Sequence, residues 1–150
     1  MSTSPLATAA IRGATDSIVI ECDLPHAPAK VWRALTEPAL LGSWLMPNDI
    51  RAEIGHRFTF RATPVHGMDA DVQCEVLAVE KGRLLSYSWR VGPTLDTVVT
   101  WTVRASETGT RLRLDHDGFA SDAPPIAPIR ANWQRLMTGC LNGQLAKLPS

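Results

Sequence analysis

The sequence predicts an α+β fold: a curved antiparallel six-stranded sheet, two short helices, and a long C-terminal helix laid across it. Three observations carry this prediction. A single early strand is followed by two short apolar-faced segments broken at Pro38. Five segments then alternate apolar and polar residues. In the last thirty residues the apolar period changes from two to about 3.6. At 150 residues and 45% hydrophobic, the chain reads as one domain able to bury roughly 68–70% of its unfolded surface. Residues 1–15 read as a flexible N-terminal tail and residues 16–150 as the domain.

Each element has its own signal. Residues 17–24 alternate, with Ile18, Ile20, Cys22 and Leu24 inward. Pro25 and Pro28 end that strand, and Pro28 suits the first position of a helix, where its missing N–H is not needed. This helix runs to about Thr36, and Pro38 restarts a second one that ends near Trp44. Trp32, Leu35, Leu41 and Trp44 then turn apolar faces to one common surface. The meander follows. Residues 54–61 place Ile54, His56, Phe58 and Phe60 on one face, and residues 64–69 turn. Residues 70–80 place Val72, Cys74 and Val76 inward, and Lys81-Gly82 makes a tight turn. Residues 84–91 offer Leu85, Tyr87, Trp89 and Val91, and residues 95–105 offer Val99, Trp101 and Val103. Residues 110–116 place Leu112 and Leu114 inward and end before a turn at Gly118. Such alternation describes antiparallel strands with one buried and one wet face.

From about Pro125 to Lys147 the apolar residues Ile126, Ile129, Trp133, Leu136, Met137, Cys140, Leu141 and Leu145 keep a helical period. This gives roughly 30 Å of helix, long enough to lie across the whole sheet. Gly139 and Gly143 interrupt it, which suggests close packing, early termination or a mobile helix end.

Composition excludes several function classes. Lys plus Arg equals Asp plus Glu at 15 each, unlike the basic footprint of a nucleic-acid binder. No apolar run approaches the roughly 18 residues of a membrane span. Residues 1–10 lack the basic and apolar regions of a secretory signal. Cys22, Cys74 and Cys140 are odd in number and far apart, so free thiols in a reducing, cytoplasmic setting are expected. No phosphate-binding, hydrolase-elbow or zincin motif occurs. The histidines at 26, 56, 66 and 116 lack ligand spacing, so neither metal nor cofactor is expected.

Asp115-His116-Asp117 is the tightest titratable cluster. Adjacent strand residues point to opposite faces, so the two carboxylates cannot both flank the ring. A structural histidine is therefore the preferred reading over a general acid/base. The stronger candidate site is the set of large side chains expected on the inner face. Trp44, Phe58, Phe60, Tyr87, Trp89, Trp101, His116, Trp133 and Met137 are read as lining a pocket for a small apolar ligand, with Met46, Met68 and Phe119 nearby. Buried indole N–H groups need partners, and a ligand carbonyl can supply one.

The order of elements resembles the helix-grip fold of the START/Bet v 1-like (SRPBCC) superfamily. Within it the chain is most similar to the family named after the C-terminal domain of the activator of Hsp90 ATPase. The resemblance is carried by Val31-Trp32-Arg33-Ala34-Leu35-Thr36-Glu37-Pro38 with Leu41 and Trp44, by His116-Asp117-Gly118-Phe119, and by Trp133 with Leu136 and Leu141. It covers about residues 16–148 and departs at Asn132-Trp133, where the family shows Gly-Trp. The family's Hsp90 activator has an additional N-terminal domain that engages the chaperone. No such domain fits here, so the family name lends little weight to a chaperone role, and a chaperone-associated protein stands only as a further alternative. The resemblance implies a cavity-forming ligand binder. Its alternative is a cyclase or dehydratase acting on a polyketide-like substrate, with His116, Tyr87 or His56 carrying protons. A homodimer is compatible with the sequence.

Overall fold

Prolines set the boundaries of the first helices. The computed structural model describes residues 15–62, 70–120 and 125–148. Strand β1 (Thr15–Leu24) leads into α1 (Pro28–Thr36) and α2 (Pro38–Trp44), each with proline in its first turn. Glu37 closes one helix and opens the next at φ −94° and ψ 121°. The residue before a proline is pushed out of the α region, and that extended residue makes the break. Val31, Leu35, Leu41 and Trp44 are buried, while Trp32 packs half-buried at the edge of the core.

The sheet comprises β1, β2 (Arg57–Phe60), β3 (Val72–Glu80), β4 (Leu84–Val91), β5 (Leu95–Ser106) and β6 (Gly109–Ala120). Its six strands run in the order β1-β6-β5-β4-β3-β2, and every neighbouring pair is antiparallel. The inward residues anticipated on β1, β3, β4 and β5 form one core, with Cys22 and Val91 half-buried at its margin.

Two strands differ from the pattern reading. The one anticipated at residues 54–61 begins only at Arg57, and Ile54 lies 71% exposed in a turn. Gly55 at φ +87° breaks the extended backbone that the alternation implied. The last strand does not stop before Gly118 but continues to Ala120. Ser17 faces Asp117 and Asp16 faces Phe119, so Gly118 (φ +95°) is the extra residue of a β-bulge rather than a turn. The bulge restores inward parity three residues after His116, and both His116 and Phe119 are buried. The turn placed at residues 64–69, with His66 and Met68, and the tail before Thr15 lie outside the described residues.

The final helix departs from a uniform 3.6-residue period. It runs as α3 (Ile126–Arg135), a π-helical segment (Leu136–Leu141) and α4 (Asn142–Lys147). Pro128 sits in the first turn of α3, where its missing N–H leaves no bond unmade. Trp133, Met137, Leu141 and Leu145 recur every fourth residue and are all buried. In a pure α-helix a four-residue step overshoots one turn by about 40°, so three steps would wind the row about 120° off the sheet. The wider π turn takes up that excess. Gly139 and Gly143 are not packing glycines, since a Cβ on either would meet nothing within 4 Å. Nor do they end the helix early. Among the described residues no helix is long and apolar enough to cross a membrane.

Candidate functional site

Strand parity and the row on the final helix bring the anticipated site residues together. Phe58 and Phe60 come from β2, Tyr87 and Trp89 from β4, Trp101 from β5 and His116 from β6; Trp44 ends α2, Trp133 lies on α3, and Met137 on the π segment. None is more than 4% exposed. Their rings form a continuous layer. Trp133 meets Trp89 at 5.2 Å between centroids and Trp101 at 5.6 Å, and Trp101 meets Trp44 edge-on at 5.8 Å. Phe60 links Trp89 (5.4 Å) to Phe58 (5.3 Å), which packs edge-on against Tyr87 at 5.2 Å. Such edge and tilted contacts match the ring quadrupoles and add about 0.5–1.5 kcal/mol per pair beyond burial.

The polar atoms of the layer are largely committed within the protein. The Trp133 indole N–H donates to His116 Nδ1 at 3.0 Å. His116 Nε2 lies 2.8 Å from Thr97 Oγ1, and Thr97 in turn donates to the Trp89 carbonyl at 2.9 Å. The only tautomer consistent with both neighbours carries its proton on Nε2, so Trp133 N–H, His116 N–H and Thr97 O–H run in one direction. Burial holds the His116 pKa down at about 3. Neither neighbouring carboxylate reaches the ring: Asp115 pairs with Arg113 at 2.8 Å and Asp117 is exposed. The Trp44 indole donates to the Ala34 carbonyl at 3.0 Å. These indoles therefore satisfy themselves without the ligand carbonyl that the sequence suggested.

Tyr87 is different. The Trp101 indole donates to its hydroxyl at 2.9 Å. Burial pushes the phenol pKa well above its ordinary value. Next to it on β3, burial also raises the Cys74 thiol.

His56 does not join this layer. Its Nε2 lies 2.9 Å from the Asp49 carbonyl at the surface, and its ring stacks on the outer side of Phe58 at 6.2 Å. Sequence reasoning missed Thr97, the hinge of the His116 chain, although its odd number puts it in phase with Val99 and Trp101 on β5. Two depressions, of about 370 and 150 Å³, open on the opposite, polar face of the sheet. The first is lined by residues including Arg57, Glu75 and Arg90, the second by Arg104, Arg111 and Arg113. No group of three or more His, Cys, Asp or Glu side chains suited to a metal ion comes together among the described residues.

Comparison with known proteins agrees with this geometry. The family model described as activator of Hsp90 ATPase homolog 1-like protein matches residues 25–142. Protein MLL2253 from Mesorhizobium loti is similar at 35% identity over 90% of this chain and 100% of its own, with a TM-score of 0.81. CV1439 from Chromobacterium violaceum is 20% identical over 89% of this chain and 98% of its own, at TM-score 0.74. CalU16 from Micromonospora echinospora is 20% identical over 87% and 76%, at 0.72. The last two share the fold. No curated protein matches the sequence. A matched span of 118 residues, from 25 to 142, on a helix-grip architecture leaves one assignment: the chain belongs to the activator of Hsp90 ATPase homolog 1-like family of the START/Bet v 1-like superfamily.

Proposed function

We propose that this protein binds a small, largely apolar molecule between the inner face of the sheet and the final helix. The observation that carries the reading is the continuous aromatic layer of Phe58, Phe60, Tyr87, Trp89 and Trp101 on the sheet, met by Trp133 from a final helix that is interrupted by a π segment. Aromatic rings supply apolar contact with few rotatable bonds. π segments within α-helices are frequent at functional sites. The layer also favours binding over acid–base catalysis, because both nitrogens of its histidine are occupied and its imidazole stays neutral.

Titrating the native protein with an apolar fluorescent probe tests this. The expected result is saturable binding near one equivalent per chain with a change in tryptophan emission. Binding that develops only after partial unfolding would show that the layer is solely core.

A further inference from the structure

Among the described residues two polar protons at the aromatic layer meet no protein acceptor: the indole N–H of Trp89, which is 4% exposed, and the hydroxyl of Tyr87, which is fully buried. The Trp133, His116 and Thr97 protons pass along one chain that ends on the Trp89 carbonyl. The second chain starts at Trp101, whose N–H donates to the Tyr87 hydroxyl, and stops there. Among the described residues the Tyr87 hydroxyl has this one hydrogen bond, in which it accepts, and its own proton meets no acceptor. Tyr87 is 0% exposed. Its surroundings are the rings of Phe58 and Phe60, at 5.2 and 5.9 Å between centroids, and its cross-strand partner Val76.

We infer that the molecule held against this layer carries a neutral hydrogen-bond acceptor, a ketone, quinone or similar carbonyl oxygen on an apolar body, and that the Tyr87 hydroxyl donates to it. The inference rests on the ligand-binding reading above. A buried donor left without an acceptor is destabilising, so a ligand that supplies one gains more than the same bond would give in water. Accepting the Trp101 N–H polarises the phenol and strengthens it as a donor. Burial keeps the phenol protonated, so it acts as a donor and not as a phenolate. A charged ligand group would lose its hydration in this apolar setting, which is why the acceptor is a neutral oxygen.

Fluorene and 9-fluorenone test this on the full chain. They share one fused-ring skeleton and differ by a methylene against a carbonyl. Isothermal titration is expected to show fluorenone binding about fivefold or more tightly, the effect of one net hydrogen bond. In Tyr87→Phe that ratio falls to one or below, since the carbonyl is the better hydrated group in water. The chain has a single tyrosine, so ¹³Cζ labelling gives one resonance that reports the hydroxyl without any substitution, even if the variant fails to fold. It should shift with fluorenone markedly more than with fluorene. Equal affinities, or equal shifts, would overturn the inference and leave the binding reading standing. If neither compound binds, the binding reading fails and the inference falls with it.

Discussion

The His116 imidazole lies between the Trp133 indole and the Thr97 hydroxyl, and it ties the final helix to β5 and β6. Its protonation couples to folding. Below pH 6.5 the unfolded chain takes up a proton that the folded imidazole refuses until about pH 3. This contribution is thus complete above pH 6.5 and is lost as pH falls through that window, by up to about 1.4 kcal/mol per unit. His116→Gln should remove this part of the slope, seen by urea unfolding between pH 5 and 7, where most carboxylates are already ionised. At pH 7 the variant should be destabilised by about 2–4 kcal/mol, because it strands two buried partners. An unchanged slope would contradict the neutral, doubly bonded histidine. A second residue-scale constraint is Gly109. A Cβ there would overlap the Leu24 carbonyl oxygen and the His26 amide nitrogen, both backbone atoms that cannot turn aside. Gly109→Ala should cost about 2 kcal/mol or more, measured the same way.

At the scale of elements, two irregularities position the site: the Gly118 bulge and the π segment. Neither was legible in the sequence. A bulge changes which residues share a face without changing their composition, and Gly118 looked like a turn glycine. A π turn hides within a row of four-residue spacings that a helical period also tolerates. Regular elements were legible, because Pro28 and Pro38 fix helix starts and alternation marks each strand outside its irregularities, which include a register shift in β3 between Val76 and Ala78. Gly139 and Gly143 have open space and helical backbone on either side. Replacing both with Ala should therefore stabilise the protein by about 1–2 kcal/mol, given a helix preference near 1 kcal/mol each. Amide exchange in α4 should slow in parallel. A destabilised double variant would show instead that the π geometry itself needs glycine.

For the whole molecule, the order of strands and helices and the membership of the aromatic layer were readable from pattern alone. Trp44, Trp89, Trp101 and Trp133 were expected inward and lie buried. What pattern could not supply was the destination of each polar proton. That depends on contacts between residues far apart in sequence, such as His116 with Thr97 and Trp101 with Tyr87. These pairings turn a set of large side chains into a layer whose fully buried Tyr87 hydroxyl keeps an uncommitted proton. This layer is proposed to receive a ligand. The direct measurement is a ¹⁵N spectrum of the five indole N–H groups during titration with 9-fluorenone. Trp101 and Trp133 should move saturably at one equivalent, while Trp32, at the edge of the core, stays in place. If the Trp101 and Trp133 resonances remain fixed at saturating ligand, or move only as the whole spectrum collapses, the layer is a filled core and the claim is wrong.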